Sequence, residues 1–256
     1  MSANDLLGAG TLALLAATAA VFVLAGVVKG VVGLGLPTIS MAMLALVMAP
    51  AQAAALLIVP SLITNLWQAR PWPTLMRVLR RIATLQAGVS VGTLAGAAWF
   101  GAPAGHWASV CLGIALVAYA GWGLFGMPPA VPARHEGALG VMMGVTTGLI
   151  TAATGVFVIP AVPYLQALNL GKDGLIQAMG ISFTVSTVAL AAGLWLNGSY
   201  SPGAAGASAL MLPPALAGMA LGQWLRGRLS ARAFKQCFMV SLALLGAYQV
   251  AQGLAG

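Results

Sequence analysis

Long apolar stretches follow one another along almost the whole chain, and this pattern constrains the fold most. Runs such as Val21 to Val28 are apolar on every side. A membrane-spanning helix needs about 20 such residues, so a chain of this length can hold roughly ten helical segments. A transmembrane β-barrel is excluded, because its strands alternate polar and apolar residues. The sequence therefore predicts an all-α polytopic membrane protein, with residues 1–256 forming a single transmembrane domain.

Charged residues are scarce, and their grouping predicts the topology. They make up 5% of the chain, whereas a soluble domain has about 25%, so a soluble enzyme is excluded. The net charge of +8 does not indicate nucleic-acid binding, because the cations are concentrated between apolar runs. Lys and Arg clusters beside spans mark the cytoplasmic side of a membrane. The first cluster contains Arg70, Arg77, Arg80 and Arg81, and the second contains Arg226, Arg228, Arg232 and Lys235.

Two of the apolar segments are too short to cross a membrane. The second and seventh segments would form roughly 20 Å of helix, less than the ~30 Å hydrocarbon core. They are predicted to be half-helices or re-entrant arms. The first segment lacks the positive region of a signal peptide, so it is expected to remain as a first span with its N-terminus outside. The ten segments are Leu6–Val28, Leu36–Met48, Ala51–Gln68, Ile82–Phe100, Trp107–Phe125, Ala138–Ala153, Val156–Leu168, Gly174–Leu196, Ala204–Leu225 and Phe234–Leu254.

The order of segment lengths occurs twice, which predicts internal repeats over residues 6–125 and 138–254. Gly33 matches Gly155 at an offset of 122 residues, and Cys111 matches Cys237 at an offset of 126. The first basic cluster corresponds to an uncharged loop, Asn197 to Gly203, whereas the second cluster corresponds to a neutral loop of the first half. Because the positive side changes between the halves, the repeats are expected to be inverted. Inverted repeats are typical of secondary transporters.

Each half also contains a glycine-bearing break that ends in a proline. The breaks run from Lys29 to Pro37 and from Thr151 to Pro160. Glycine permits unusual backbone angles, and proline suits the first turn of a helix. Helix N-termini attract anions, so two such ends facing each other near the midplane would form an anion site. The alternative is that these glycines only allow close helix packing.

The two breaks, repeated 122 residues apart in a small basic chain, resemble the TauE/SafE family of sulfite and organosulfonate exporters. The resemblance covers most of the chain, from about Ala20 to Gly253. It implies a membrane transporter that exports a small sulfur-containing or carboxylate-like anion across a cytoplasmic membrane.

Lys29 is the leading candidate for contact with such an anion. It is the only charge between Asp5 and Arg70, and ionisable residues within a membrane are functional candidates. The alternative is that its side chain extends to the interface. Hydroxyls and amides can donate to anion oxygens, although they also join helices to one another. The expected substrate-binding residues are Lys29, Gly33, Gly35, Pro37, Thr38, Asn65, Thr154, Gly155, Pro160 and Ser186.

No motif indicates an enzyme. The sequence has no nucleophile set, metal-ligand spacing or phosphate loop, so catalytic residues, metals and cofactors are not expected. The predicted function is export of sulfite, an organosulfonate or a related carboxylate across the inner membrane. An anion is driven outward by about 2.3 kcal/mol per charge at 100 mV, so export down the membrane potential needs no coupling ion. The alternatives are a non-transporting membrane subunit and an anion channel.

The expected partners are a small anionic substrate and the lipid bilayer, without nucleic acid, and the sequence is compatible with a homodimer. Both termini are expected outside.

The charge pattern can be tested in a chain in which Cys111 and Cys237 are replaced. A membrane-impermeant maleimide added outside the cell should label Ser199→Cys but not Ser230→Cys. The opposite labelling would contradict the inverted-repeat argument.

Overall fold

The structure, a computed structural model, describes residues 3–126, 130–228 and 230–255. Arg232 lies outside the residues whose side chains are described. The helices are α1 (Ala3–Val32), α2 (Leu36–Leu44), α3 (Pro50–Gln68), α4 (Trp72–Arg81), α5 (Ala83–Phe100), α6 (Gly105–Phe125), α7 (Glu136–Thr154), α8 (Ala161–Ala167), α9 (Gly171–Leu196), α10 (Pro202–Leu210), α11 (Leu212–Arg226) and α12 (Ala231–Ala255).

The helices confirm an all-α polytopic membrane protein. Among the described residues, seven helical stretches are long and apolar enough to cross a membrane, and the bent pair of α4 and α5 makes an eighth. The short segments predicted from the sequence correspond to α2 and α8, which have nine and seven residues. The structure adds α4, a basic helix that is too charged to be recognised as a span.

Two pairs of long helices pack closely because glycines of one helix face the backbone of the other. Helix α1 packs against α11, and α5 packs against α7. A Cβ atom added to Gly26 would overlap the carbonyl oxygen of Ala215. A Cβ atom added to Gly148 would overlap the carbonyl oxygen of Val89. Gly26 and Gly148 are 122 residues apart, and Val89 and Ala215 are 126 apart, so the two interfaces use atoms at the offsets of the sequence repeat.

The same correspondence holds on the facing helices of these pairs. A Cβ atom on Gly218 would overlap the carbonyl oxygen of Val23, and one on Gly92 would overlap that of Val145. The remaining two major contacts join α6 to α12 and α3 to α9. Because lipid provides no hydrophobic drive for helix association, small residues that permit close contact take that role.

We expect Gly92→Ala and Gly218→Ala each to destabilise the protein by about 1–3 kcal/mol, the usual effect of overpacking. This loss should exceed the gain of up to about 1 kcal/mol from the better helix propensity of alanine. Gly121→Ala is the control, since no atom of another part of the chain lies within 4 Å of its added Cβ. Thermal unfolding of the purified variants in detergent measures the difference. Equal unfolding temperatures for Gly218→Ala and Gly121→Ala would contradict the packing argument.

Candidate functional site

The first break reverses the chain between α1 and α2. Its glycines have φ values of +80° at Gly33 and +119° at Gly35, which residues with a side chain rarely adopt. Pro37 lies in the first turn of α2, as the sequence predicts. Helix α2 is almost entirely buried, so the break directs it into the protein rather than along the surface.

Lys29 lies one turn before this break and is directed inward. The side chain is only 5% exposed, and its Nζ donates a hydrogen bond to Oδ1 of Asn65 in α3. Asn65 Nδ2 donates in turn to Thr187 Oγ1 of α9 at 3.4 Å. The ammonium therefore does not extend to the lipid interface. It is joined through one amide to a helix of the other half of the chain.

A polar cavity of about 380 Å³ lies beside Lys29. At its rim, Gln223 and Arg226 of α11 are exposed. Gln68 Nε2 donates to the carbonyl oxygen of Gly33 at 3.0 Å and so fixes the break to the end of α3. The described lining contains two cations and no carboxylate. The lining residues are Lys29, Gly30, Val32, Gly33, Thr64, Trp67, Gln68, Ile176, Met219, Gln223 and Arg226.

The second break has a different environment. The hydroxyl of Thr154 donates to the carbonyl oxygen of Ile150 at 2.6 Å and accepts from the amide of Val156 at 3.1 Å, so it is occupied by backbone. Pro160 comes directly before helix α8, which has seven residues. Pro160 and Trp122 both line an apolar cavity. Within the described residues, Pro160 of the second break thus lines an apolar cavity, whereas Lys29 and Gly33 of the first break line a cavity with charged side chains.

The two glycines contact α3 at different levels. Gly33 contacts Gln68 at the end of α3, whereas an added Cβ on Gly155 would lie 3.3 Å from that of Ala54 near its beginning. Roughly 20 Å of helix separates these contacts. Gly155 packs instead beside the sulfur of Met41 in α2. The second break thus contacts the middle of α2.

Of the predicted site residues, Lys29 and Gly33 line the cavity, and Asn65 is hydrogen-bonded to Lys29. Gly35, Pro37 and Thr38 follow at the start of α2, Ser186 is buried in α9, and Thr154, Gly155 and Pro160 lie apart. The cavity also contains Gln68, Gln223 and Arg226, which are not in the set of substrate-binding residues expected from the sequence. Arg226 was assigned to topology alone, and neither glutamine stands near a break in the sequence, so only the packing of α3 and α11 reveals them.

Comparison with known proteins identifies the family. The family model described as Sulfite exporter TauE/SafE matches residues 18–249.

The chain belongs to this family. No curated protein and no solved structure matches it. The TauE/SafE family consists of membrane transporters for sulfur anions. Together with the apolar helices, membership makes the chain a multi-pass membrane protein with a role in transport. The family is a transporter family rather than an enzyme family.

If the transported anion binds in this cavity, Arg226→Gln should weaken the binding of sulfite as a probe, because it removes a cation from the rim while keeping a shorter, uncharged polar side chain. An exposed charge contributes up to about 1 kcal/mol, which corresponds to about a fivefold change in the dissociation constant. Arg134→Gln is the control, since Arg134 is exposed in the short helical turn before α7 and does not line the cavity. Calorimetric titration of the purified variants with sulfite measures the effect. Equal dissociation constants for both variants would remove Arg226 from the site.

Proposed function

We propose that the protein exports a small anion such as sulfite, an organosulfonate or a related carboxylate across the inner membrane. The observation that carries the proposal is the polar cavity in which Lys29 and Arg226 are the charged lining residues. An anion that leaves water needs compensating charge or hydrogen bonds. The buried ammonium of Lys29 and the rim guanidinium of Arg226 offer both, in a family of transporters for sulfur anions.

Buried hydroxyl groups support a path beyond the cavity. Thr38 of α2 and Ser61 of α3 are fully buried, and neither hydroxyl has a hydrogen-bond partner within the described residues. Buried polar groups without partners are rare in folded proteins. The three oxygens of a sulfite or sulfonate would accept from such donors. We include Ser186 and Gly155 as second-half residues that the anion would pass after Lys29.

The proposal includes two inverted repeats, over residues 6–125 and 138–254. It is supported by the paired glycine contacts of α1 with α11 and of α5 with α7. It is supported also by the hydrogen bond between Asn65 and Thr187, which are 122 residues apart. Thr187 would be the residue of the second repeat that is equivalent to Asn65 of the first. Contact between equivalent residues is expected where an axis relates the two halves. Substrate sites of inverted-repeat transporters lie at such interfaces.

We propose the direction of transport from the positions of the charges. If both basic clusters are cytoplasmic, Arg226 places the rim of the cavity on the cytoplasmic side, where the anion would bind. A negative interior then drives the anion outward by about 2.3 kcal/mol per charge at 100 mV. No carboxylate occurs in the described lining to carry a proton or sodium ion. We therefore propose uncoupled export, with both termini outside.

The decisive test is anion efflux from proteoliposomes that carry Lys29→Met, Lys29→Arg or the wild-type chain. Lys29→Met removes the buried cation but keeps an unbranched apolar stem, so we expect at least about a tenfold loss of initial rate, equivalent to 1.4 kcal/mol. Lys29→Arg should retain part of the rate, because the charge remains while the donor geometry changes. Arg134→Met is the control and should transport normally, since Arg134 is an exposed cation that does not line the cavity.

The substrate panel contains sulfite, sulfonates and carboxylates, with rates normalised to the amount of protein. Unchanged efflux for Lys29→Met would remove Lys29 from the site. Flux that does not saturate with anion concentration would indicate a channel. A wild-type chain that moves none of the anions would favour a non-transporting subunit.

A further inference from the structure

Helix α4 has two distinct faces although it has no fully buried residue. At 3.6 residues per turn, Trp72, Leu75, Met76 and Leu79 fall on one side, and Arg77, Arg80 and Arg81 fall on the other. Leu75, Val78 and Leu79 pack against the protein core. Trp72 and Met76 are 53% and 54% exposed. The apolar face is therefore only partly covered by protein.

The orientation of α4 differs from that of a membrane span. It is bent by 72° from the apolar helix α5, so it runs across the direction of that helix instead of extending it. The corresponding pair in the second half, α10 and α11, forms a single uncharged stretch up to Arg226. The bend and the basic face thus belong to the first half alone.

Both ends of α4 are fixed by hydrogen bonds from other helices. Before its start, Gln177 Nε2 donates to the carbonyl oxygen of Pro71 at 2.7 Å, and its Oε1 accepts from Thr74 at 2.8 Å. At its end, Arg81 Nη2 donates to Glu136 at 2.9 Å and to the carbonyl oxygen of Leu168 at 2.8 Å. The helix is therefore held in place without using Arg77 or Arg80, neither of which forms an ion pair within the described residues.

The exposed part of α4 changes from apolar to basic around the helix. Viewed down the axis, Trp72, Met76, Arg80 and Arg77 follow one another over less than half a turn. All four are exposed, and the helix contains no acidic residue. Amphipathic helices with this arrangement lie in the membrane interface, with the aromatic and apolar groups in lipid and the cations at the headgroups.

We infer that the Trp72–Arg80 face of α4 is a binding site for anionic phospholipid headgroups. Trp72 and Met76 lie among the upper acyl chains, and Arg77 and Arg80 donate to the phosphate. Guanidinium groups form strong charge-assisted hydrogen bonds with phosphate oxygens. A site held rigid at both ends by Gln177 and Arg81 loses little freedom when the lipid binds. The inference does not depend on the transported anion.

The test compares Arg77→Gln/Arg80→Gln with the wild type while phosphatidylglycerol is added to the purified protein in detergent. Phosphatidylglycerol should raise the unfolding temperature of the wild type, and phosphatidylcholine should not. Each interfacial cation contributes about 1 kcal/mol, so the double variant should need about 30-fold more phosphatidylglycerol for half of the effect. Arg81 is left unchanged because it pairs with Glu136.

Arg134→Gln/Lys172→Gln is the matched control, since it removes two exposed cations that lie outside α4, one before α7 and one in the first turn of α9, and should respond as the wild type does. A double variant that follows the wild-type titration would overturn the inference, as would equal stabilisation by phosphatidylcholine. Soluble glycerol phosphate at the same concentration should have no effect. If it stabilises the protein as well as the lipid does, the site binds a free anion and the lipid assignment is wrong.

Discussion

Contact between helix backbones at glycines is the constraint on which the rest of the structure depends. In lipid, burying a leucine against another helix gains little over leaving it in hydrocarbon, so association relies on close packing. Gly26 and Gly30 bring α1 against α11, and Gly88 and Gly92 bring α5 against α7. Each contact joins a helix of one half to a helix of the other. The halves are therefore interleaved and do not stand side by side as two separate bundles.

This interleaving makes the polar cavity possible. Gly30 allows α11 to approach α1 one residue after Lys29, which places Gln223 and Arg226 beside the break. Without the close approach, a lysine in this position would face lipid or reach the interface. The buried ammonium instead has an amide partner in α3 and a second cation at the rim. The packing between the two halves thus determines which charged groups lie at the site.

The sequence was sufficient for the fold class, the short helices and the residues of the first break. These follow from segment length, from glycine and proline, and from a single charge in an apolar region, all of which are local signals. The sequence pattern could not show that Arg226, unlike the other residues of its basic cluster, lines the cavity, because that depends on which helix lies opposite. It also treated the second break as equal to the first, whereas Thr154 there bonds to its own backbone. Helix α4 was not predicted because a hydropathy pattern identifies membrane spans but does not identify amphipathic helices at an interface.

The charge of Lys29 has no counterpart in the other half. The residue 122 positions later is Thr151, whose hydroxyl donates to the carbonyl oxygen of Thr147 at 2.7 Å. Among the side chains that the structure describes, the buried charge therefore occurs in one half of the chain only. An ion moving through the protein would meet a deep potential well near one face and a shallow, neutral slope near the other. Such a profile would make the rates of passage in the two directions differ under an applied voltage, as in an electrical rectifier.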